Sequence, residues 1–473
     1  MTDPERLDLT ATYTDLYQIA MGQVYFLNGH HHHEAVFDYF FRKLPFGGGY
    51  AIFAGLYDLL ELLERLHFSA DDLQNLKQLG LRDEYIAYLK GFRFRGSIYA
   101  SAEGDIVFPT RPVMRIEGTM LEAQLIETLL LNLVNFQTLI ATKASRMRQV
   151  AGERTLAEFG LRRAQGLGGY HATRAAIIGG FNSTSNVKAA FDFGVSASGT
   201  MAHSFIQHHG DELSAFRMFA EGRPDHCVLL VDTYDTLLSG VPNAITVAKE
   251  MEQRGQRLQG IRLDSGDLAY LSKRARVMLD NAGLHHVKIV ASNQLDEFVI
   301  KSLLEQGAPI DVFGVGTSLV TGHPDAALDG VYKLSLTQNK PRIKISESLK
   351  KITLPHKKQV FRIYDGNGHF AGADGITLHD ETQIDVMHHP FEPDKSTSFA
   401  GLRQEPLLHK VMEQGKILIE KKPLTFIAEY SKARLGLLPE EYKRFQNPHT
   451  YKIGLSPRLK ALRDQLRSEY RKP

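Results

Sequence analysis

The sequence predicts an α/β protein in which a barrel, or partial barrel, of parallel strands is combined with an α/β (α+β) domain built from both ends of the chain. From Arg154 onward, strand-like runs alternate with helix-length segments, a pattern typical of parallel sheets. The segment before them mixes helices with strands, and the segment after Tyr332 has short strands and turns rich in Lys, Pro and Gly. Because 473 residues exceed one compact core, we expect two domains: residues 1–150 with 340–473, and residues 151–339.

The N-terminal segment is predicted to hold three helices and a strand. The first helix is expected over Thr12–Leu27, where Asp15 and Gln18 have the spacing of a capping box. The elements expected after it are the strand Ala35–Phe41, the helix Tyr50–Leu66 and a long, largely buried helix over Leu121–Arg148. The tail after Tyr332 is expected to pack back on this segment.

Seven strand-like runs follow, each leading into a segment long enough for a helix. They are Thr155–Phe159, Ile178–Asn182, Val195–Thr200, Val228–Asp232, Gly260–Asp264, Val287–Ser292 and Asp311–Gly316. Their spacing matches βα units, whose right-handed crossovers make successive strands parallel. Seven such units in a row favour a barrel or partial barrel, and a doubly wound open sheet is the alternative.

Composition argues against several classes of protein. A net charge of +2 creates no global field toward nucleic acid or membranes. We find neither a signal peptide nor an apolar run of about 18 residues, and the single cysteine, Cys227, suits a reducing compartment, so we predict a cytoplasmic protein. Two local features receive plain interpretations: His30–His33 as a polar loop rather than a metal site, and the basic stretch from Tyr451 as a solvated amphipathic helix.

All seven runs end in polar residues, several of them charged. In a parallel barrel, catalytic groups collect at the carboxyl ends of the strands. Taken singly, an Asp, Ser, Thr or Asn before a helix is most often an N-cap, and a Gly-x-Gly-Thr turn is weak evidence. Capping does not require charged side chains, however, and these strand ends also carry Arg162, Arg163, His203 and Arg262.

The fifth run is the most informative. Arg262 and Asp264 alternate with apolar neighbours, so on a strand they share one face, and Ser265-Gly266 leads to Asp267 at the start of a helix. Asp264 and Asp267 are candidate magnesium ligands, directly or through water. A guanidinium and two carboxylates at one strand end suit a magnesium-bound, phosphate-rich substrate.

Other strand ends supply groups that such a substrate requires. The turn Gly314–Thr317 would present backbone N–H groups and a hydroxyl to a phosphate. Arg162 and Arg163 would bind further anionic oxygens, and His203 would act as a base or a nucleophile. The whole set suits a substrate with several phosphates and a small anionic partner.

At these residues the chain closely resembles the nicotinate phosphoribosyltransferase family. The resemblance covers most of the length, and the number and order of the matching segments make it specific. The matching segments are Thr14–Gln18, Phe41–Arg42, Pro45–Gly48, Glu158–Gly166, Gly180–Val187, Gly199–Phe205, Arg262–Asp267 and Phe313–Ser318.

The resemblance implies an enzyme of NAD biosynthesis with the type II phosphoribosyltransferase fold, an irregular α/β barrel plus an α/β domain, working as a homodimer. The family joins nicotinate to 5-phosphoribosyl 1-diphosphate and releases nicotinate mononucleotide and diphosphate. ATP is implied as a co-substrate, hydrolysed to ADP and phosphate through a phosphorylated His203. Mg²⁺ is the cofactor that accompanies the diphosphate substrate.

The resemblance also implies roles for individual residues. Arg262 and Asp264 join His203 in the catalytic set. Tyr17 and Thr200 would bind the pyridine together with Arg262, with Tyr17 reaching a neighbouring subunit's site. The other substrate-binding residues expected are Arg162, Arg163, Ser185, Ser204, Asp267, Ser292, Asn293, Gly316 and Thr317.

Ser185 bears on the choice between acid and amide. In the related nicotinamide enzyme an aspartate at the matching position contacts the amide, and it would repel a carboxylate, whereas a serine can donate to one. Three other interpretations remain open. They are a quinolinate phosphoribosyltransferase, which uses a dicarboxylate and no ATP, a nicotinamide enzyme, and a non-catalytic sensor of a phosphoribosyl ligand on the same fold.

Overall fold

The computed structural model describes residues 9–346, 352–392 and 394–470, and the chain divides into two compact units. The first unit contains residues 1–139, 327–422 and 430–473, and the second contains residues 140–326 and 423–429. The boundaries therefore lie earlier in the chain than the predicted 150/151 and 339/340. Among the described residues, no helix is long and apolar enough to cross a membrane.

From residue 9 to Ala151, the chain forms six α-helices and five strands. They are α1 (Leu16–Leu27), β1 (Glu34–Phe41), β2 (Ala51–Ile52), α2 (Leu56–Arg65), α3 (Ala70–Gln78), α4 (Asp83–Lys90), β3 (Ser97–Ala100), β4 (Ile106–Val107), β5 (Met114–Thr119), α5 (Met120–Leu125) and α6 (Glu127–Ala151).

Three predicted elements of this part require correction. The capping box at Asp15 does not form, because the Asp15 carboxylate accepts from Thr128 instead of from its own helix. The helix expected from Tyr50 begins at Leu56, since the residues before it pair as β2 with β4. The single helix expected over residues 121–148 is two helices, and a capping box at Thr119 starts the first.

The middle of the chain alternates strands and helices as predicted. Its elements are β6 (Thr155–Glu158), α7 (Gly168–Ile178), β7 (Ser183–Thr184), α8 (Val187–Phe193), β8 (Ser196–Ala197), α9 (His203–His208), α10 (Glu212–Gly222), β9 (Val228–Leu230), α11 (Val241–Gln253), β10 (Gly260–Leu263), α12 (Leu268–Asn281), β11 (Lys288–Ser292), α13 (Glu297–Glu305), β12 (Val312–Val315) and α14 (Thr317–Val320).

The strand order confirms a partial barrel. The seven parallel strands are arranged β8-β7-β6-β12-β11-β10-β9, so the last strand of the series, β12, pairs with the first, β6. That order is circular, as in a barrel, and it is interrupted once, between β8 and β9. A doubly wound sheet would separate the first and last strands, so that alternative is wrong.

The second predicted strand, Ile178–Asn182, is wrong. Helix α7 continues to Ile178, and the strand follows at Ser183–Thr184. Ile178, the first residue of the predicted run, is buried as the last residue of this helix. The chain turns at Gly179 and Gly180. A Cβ at Gly179 would lie 2.4 Å from the carbonyl oxygen of Ala141, and Gly180 has a φ of 104°.

The C-terminal part contains mostly short strands. Its elements are β13 (Gly330–Thr337), β14 (Lys340–Pro341), β15 (Lys358–Tyr364), β16 (Phe370–Leu378), β17 (Val386–His388), β18 (Ser396–Ser398), β19 (Gln404–Pro406), β20 (His409–Glu413), β21 (Lys416–Ile417), α15 (Leu424–Leu437), β22 (Lys452–Leu455) and α16 (Pro457–Tyr470).

Both chain ends build the first unit, as predicted. Strand β1 pairs antiparallel with β5 on one side and with β13 on the other, within a sheet of order β14-β13-β1-β5-β3-β20-β21. A second sheet of order β18-β17-β22-β16-β15-β19 is formed by the C-terminal part alone. The basic stretch from Tyr451 begins with strand β22, and the predicted helix, α16, starts only at Pro457. Arg463 on this helix is buried, so its basic face is not wholly solvated.

His30–His33 lie in a turn between α1 and β1, as expected of a loop, although His31 is buried. Cys227 is fully buried, and burial raises the pKa of its thiol to about 12, so it is an apolar core residue rather than a nucleophile.

Candidate active site

Arg262 is the centre of a hydrogen-bonded cluster at the carboxyl end of β10. Its two apolar neighbours on the strand are fully buried, which turns the Arg262 side chain to the opposite face. Its Nε donates to Oγ of Ser292 at 2.8 Å, and its Nη2 donates to Oδ1 of Asp264 at 2.7 Å. Its Nη1 donates to Oγ1 of Thr200 at 3.0 Å. The guanidinium is therefore fixed by β10, by β11 and by the segment that follows β8.

The Asp264 carboxylate is the acidic member of this cluster. Its Oδ1 accepts hydrogen bonds from Arg262 and from the hydroxyl of Ser292. Burial raises the pKa of Asp264, but the hydrogen bond from Ser292 and the charge of Arg262 outweigh burial and hold the pKa below its usual range. Asp264 is therefore ionised at neutral pH.

His203 is the first residue of α9, in the connection between the edge strands β8 and β9. Its Nδ1 lies 3.1 Å from Oγ1 of Thr233, and its Nε2 lies 3.9 Å from Oδ2 of Asp264. When Nδ1 donates its proton to Thr233, Nε2 carries the lone pair and becomes the nucleophilic nitrogen. The side chain is 41% exposed, so that nitrogen is accessible to a substrate.

A second carboxylate, Asp232, supports the turn after β10. Its Oδ2 accepts the backbone N–H of Asp264 at 2.8 Å and the hydroxyl of Ser265 at 2.6 Å. Its Oδ1 is shielded from solvent and accepts no hydrogen bond from the residues that the structure describes. Since Asp232 follows β9, it ties the ends of two neighbouring strands together.

Glu158, at the end of β6, is a fully buried carboxylate that holds two strand-end loops. Its Oε1 accepts the backbone N–H of Gly160, and its Oε2 accepts the hydroxyls of Thr173 at 2.9 Å and Thr184 at 2.6 Å. The Thr184 hydroxyl in turn accepts the backbone N–H of Asn186 at 3.0 Å. One side chain thus positions the loops after β6 and β7.

The predicted phosphate turn after β12 packs against the end of β6. A Cβ added at Gly314 would lie 2.4 Å from the ring of Phe159, so no side chain fits there. A Cβ at Gly316 would lie 3.2 Å from the Phe159 carbonyl oxygen. Thr317 begins the short helix α14 and is exposed. The turn is therefore set closely against the end of β6, and it ends at the exposed Thr317.

The remaining predicted residues of the second unit occupy neighbouring strand ends. Arg162 and Arg163 are exposed in a 3₁₀ turn after β6, Ser185 follows β7, Ser204 is exposed on α9, and Asn293 follows β11 with a left-handed φ of 79°. These positions share the sheet edge that carries Arg262 because the strands are parallel.

Two predicted residues are placed differently from the rest. Asp267 is the N-cap of α12, and its Oδ1 accepts the backbone N–H of Tyr270 at 3.0 Å. Asp267 therefore does cap α12, and its second carboxylate oxygen is left for a ligand. Tyr17 belongs to the first unit, where it is the second residue of α1 and half exposed.

The residues present fit a Mg²⁺ ion that is held jointly by the protein and the phosphates of a substrate. Within the described ranges there is no cluster of three or more His, Cys, Asp or Glu side chains that would hold a metal. Mg²⁺ does not require one, since it is usually held by one or two carboxylates with substrate phosphates and waters. Asp264 is ionised, and Asp267 has one oxygen outside its cap. The pair therefore suits a magnesium ion that arrives with a diphosphate.

Sequence reasoning missed Asp232, Thr233 and Glu158 as site residues. Asp232 and Thr233 stand at the end of the fourth run, and Glu158 is the acidic residue of the first run. Those signals were visible. Their roles depend on β9 lying beside β10 and on β6 lying beside β7, which the sequence alone does not state.

A partial parallel barrel with arginines, carboxylates and a glycine turn at its strand ends defines the class of the protein as a phosphoribosyltransferase of barrel type. Three family models match the chain. They are the nicotinate phosphoribosyltransferase (NAPRTase) N-terminal domain over residues 12–135, the NAPRTase family over residues 155–395 and the NAPRTase C-terminal domain over residues 357–463. The chain belongs to the nicotinate phosphoribosyltransferase family.

Curated relatives and solved structures agree with this membership. The chain is 46% identical to nicotinate phosphoribosyltransferase of Bacillus subtilis (strain 168) over 95% of its own length and 93% of that protein. It is 33% identical to the Homo sapiens nicotinate phosphoribosyltransferase over 98% of both chains. The crystal structure of human nicotinic acid phosphoribosyltransferase matches with a TM-score of 0.85, 32% identity and coverage of 96% and 99%.

A more distant structure shares the fold alone. Nicotinate-nucleotide pyrophosphorylase from Pyrococcus furiosus matches with a TM-score of 0.71 and 24% identity, covering 90% of this chain and 95% of that one. The partial barrel therefore extends beyond close relatives.

Proposed function

We propose that this protein transfers the phosphoribosyl group of 5-phosphoribosyl 1-diphosphate to nicotinate, producing nicotinate mononucleotide and diphosphate for NAD biosynthesis. The observation that carries the proposal is the fixed guanidinium of Arg262, bonded to Thr200, Asp264 and Ser292 at the strand-end edge. Family membership supplies the substrate class, because the relatives are named for this reaction.

Arg262 is the residue we assign to the carboxylate of nicotinate. A guanidinium pairs with a carboxylate through parallel N–H bonds, and its planar shape fixes the orientation of the ring that carries the acid. The side chain is 14% exposed, so it is shielded by the protein and still open to a ligand. Thr200 adds a hydroxyl at the same place.

The reaction replaces one bond at the anomeric carbon of the ribose by another. The pyridine nitrogen supplies the electron pair of the new C–N bond, and the C–O bond to diphosphate breaks with its electron pair leaving on oxygen. Positive charge develops on the sugar between these events, and the ionised Asp264 near it is stabilising. Arg162 and Arg163 are the cations we assign to the departing diphosphate.

Asp264 and Asp267 are the residues that would hold Mg²⁺, together with oxygens of the diphosphate. When bound, the ion neutralises the charge that accumulates on the leaving group. The glycine turn with Gly316 and Thr317 is assigned to the 5-phosphate of the ribose, through backbone N–H groups and the Thr317 hydroxyl.

We also assign ATP coupling to His203. Nε2 attacks the γ-phosphorus of ATP, the Pγ–O bond breaks and ADP leaves, and water later cleaves the P–N bond to release phosphate. Thr233 supports this assignment, because a proton held on Nδ1 leaves the lone pair on Nε2. A phosphate on His203 would add charge and acceptor oxygens beside Arg262.

A homodimer with shared sites is the assembly that we propose. Helix α1 exposes Leu16, Tyr17, Met21 and Val24, of which Leu16 is 60% exposed. A contiguous apolar face on a helix is typical of an interaction surface. Tyr17 on this face would reach the pyridine site of the neighbouring subunit.

Turnover with three acceptors tests the proposed function. Purified protein is incubated with 5-phosphoribosyl 1-diphosphate, magnesium and either nicotinate, nicotinamide or quinolinate, with and without ATP, and the mononucleotide products are separated. We expect nicotinate mononucleotide, formed faster with ATP. Product from quinolinate without ATP would identify the dicarboxylate enzyme. A preference for nicotinamide would contradict the role of Ser185. Binding of 5-phosphoribosyl 1-diphosphate without any product would indicate a sensor.

His203 has its own test. Incubation with γ-³²P-ATP is expected to give an acid-labile label on wild-type protein and none on His203→Ala. An unlabelled wild type would remove the phosphohistidine from the mechanism and leave phosphoribosyl transfer itself in place. Separately, mixing inactive Tyr17→Ala and Arg262→Ala dimers is expected to restore part of the activity if the sites are shared.

A further inference from the structure

A cavity in the first unit combines basic side chains with an apolar lining. Its empty space is about 960 Å³ when the open mouth is included. It is lined by parts of β1, β13, β16, β22 and α16 together with the segment before β15. All of these elements belong to the first unit, whereas the Arg262 cluster belongs to the second.

The lining carries an excess of positive charge. Five lysines and arginines line the cavity against two carboxylates, Asp38 and Asp464. Asp38 is already neutralised, since its Oδ2 lies 2.7 Å from Nζ of the buried Lys358. Lys333, which faces Asp38 across the β1–β13 pair, adds a further cation. Five cations against two carboxylates give the lining a net charge of +3.

Helix α16 supplies most of that charge from one face. Lys460, Arg463, Asp464 and Arg467 recur at helical spacing and all line the cavity. A single carboxylate serves the three cations: Asp464 lies 3.2 Å from Lys460, 2.8 Å from Arg463 and 3.9 Å from Arg467. Arg463 is almost completely buried, with only 6% of its surface exposed. Holding several cations in a shielded place is costly unless an anion completes the set.

Arg467 has an unused donor in this place. Its Nε is shielded from solvent and finds no acceptor within the described part of the chain. A buried donor without an acceptor loses the free energy of its hydration, so a ligand oxygen there would be stabilising.

The rest of the lining is apolar and would exclude a fully hydrated ion. The apolar residues are Phe40, Pro112, Ile352, Leu354, Ile376, Pro390, Phe391, Ile453 and Leu455. Such walls stabilise a hydrocarbon or ring body by burial. A ligand that uses the whole cavity therefore needs an anionic end and an apolar body.

We propose that this cavity binds a phosphomonoester with an apolar body. A phosphate dianion matches the excess charge better than a carboxylate, and its three oxygens accept from several cations at once. Nucleoside monophosphates and alkyl phosphates both have this chemistry. None of the residues that line the cavity is among those assigned above to phosphoribosyl transfer.

Calorimetric titration of the full-length protein tests the proposal. The probes are adenosine 5′-monophosphate and octyl phosphate, with inorganic phosphate as the charge-only comparison, and saturating ATP is present so that the His203 site is occupied. At least one organic phosphate is expected to bind more tightly than inorganic phosphate. Arg467→Ala is expected to weaken that binding roughly tenfold, the loss of one charged hydrogen bond. The organic phosphate that binds more tightly shows whether the cavity prefers a nucleoside or an alkyl chain.

The matched control is Arg458→Ala, which removes the same charge from α16 at a position outside the lining. Lys333→Met serves as a second cavity variant in case Arg467→Ala does not fold, and it too is expected to weaken binding. The proposal is overturned if no organic phosphate binds more tightly than inorganic phosphate. It is equally overturned if the folded cavity variants bind like wild type, or if Arg458→Ala weakens binding as much as they do.

Discussion

Nη1 of Arg262 donates to Oγ1 of Thr200 at 3.0 Å, although the two residues are 62 positions apart in the chain. Thr200 follows β8 and Arg262 lies on β10, so the bond reaches across the one interruption of the circular strand order, where β8 and β9 are unpaired edges. The open side of the partial barrel is therefore bridged by residues of the candidate site. His203, three residues after Thr200, is brought to Asp264 by the same segment.

Thr233→Val should uncouple ATP from turnover. The substitution keeps the shape of the side chain and removes the hydroxyl beside Nδ1 of His203, so the ring is no longer held with its lone pair on Nε2. We expect the stimulation by ATP to fall about fivefold, as for the loss of one hydrogen bond, with ATP-independent turnover unchanged. Initial rates with and without ATP measure it. Thr246→Val on the exposed face of α11 is the control, and equal stimulation in both variants would contradict the assignment.

Ser292→Ala should change the pH dependence of activity. The pKa of Asp264 is lower in the folded protein than in the unfolded chain, where it is about 3.9. The ionised carboxylate therefore stabilises the fold above the unfolded pKa, and this stabilisation is lost as the pH falls through the folded pKa. Removing the Ser292 hydroxyl removes a bond to the charged form, so the pKa rises. The acid limb of the kcat/KM profile is then expected to move to higher pH, while the control Ser302→Ala leaves it in place. An unmoved limb in Ser292→Ala would show that Asp264 does not control it.

Glu158→Gln should weaken binding of the phosphoribosyl donor. An amide has one oxygen, so it cannot accept from Gly160, Thr173 and Thr184 as the carboxylate does. We expect KM for 5-phosphoribosyl 1-diphosphate to rise severalfold and the free energy of unfolding to fall by about 1–3 kcal/mol. Kinetics well below the melting temperature separate the two effects. A lowered melting temperature with an unchanged KM would assign Glu158 to stability alone.

Asp374→Asn should destabilise the first unit strongly. Asp374 is completely buried and pairs with Arg362 at 3.0 Å and with Arg111 at 2.9 Å. Removing one charge leaves two buried guanidinium groups undercompensated, at a cost of about 3–5 kcal/mol. Chemical denaturation measures this, with the exposed Asp380→Asn as a control that costs under about 1 kcal/mol. Similar losses in both variants would mean that the buried network contributes little.

The sequence predicted the features that depend on local periodicity. Alternating strands and helices indicated the parallel series, and the polar strand ends indicated the edge that carries Arg262 and Asp264. The prediction was wrong at Ile178–Asn182, because Ile178 ends helix α7 and the strand starts only at Ser183. Periodicity is blind to the choice between helix and strand in so short a run.

Contacts between segments that are distant in the chain could not be predicted from the sequence. Asp232 was visible as a strand-end acid, but its bonds to Asp264 and Ser265 follow only from β9 pairing with β10. A run of basic residues predicts a solvated helix face, whereas the fold places Arg463 of α16 in the lining of a cavity. Both cases turn on neighbours that are remote in the chain.

The most direct test compares Arg262→Ala and Arg262→Lys with wild type in steady-state formation of nicotinate mononucleotide. Because the guanidinium is assigned to the nicotinate carboxylate, we expect kcat/KM for nicotinate to fall roughly a hundredfold in Arg262→Ala. The alanine variant should keep its melting temperature within a few degrees and lose part of its preference for nicotinate over nicotinamide. Arg262→Lys should recover only part of the loss, since an ammonium lacks the planar fork. Wild-type kinetics in the folded alanine variant would contradict the central role of Arg262. The role would also be contradicted if Arg262→Ala did not fold and Arg262→Lys folded without regaining the preference for nicotinate over nicotinamide.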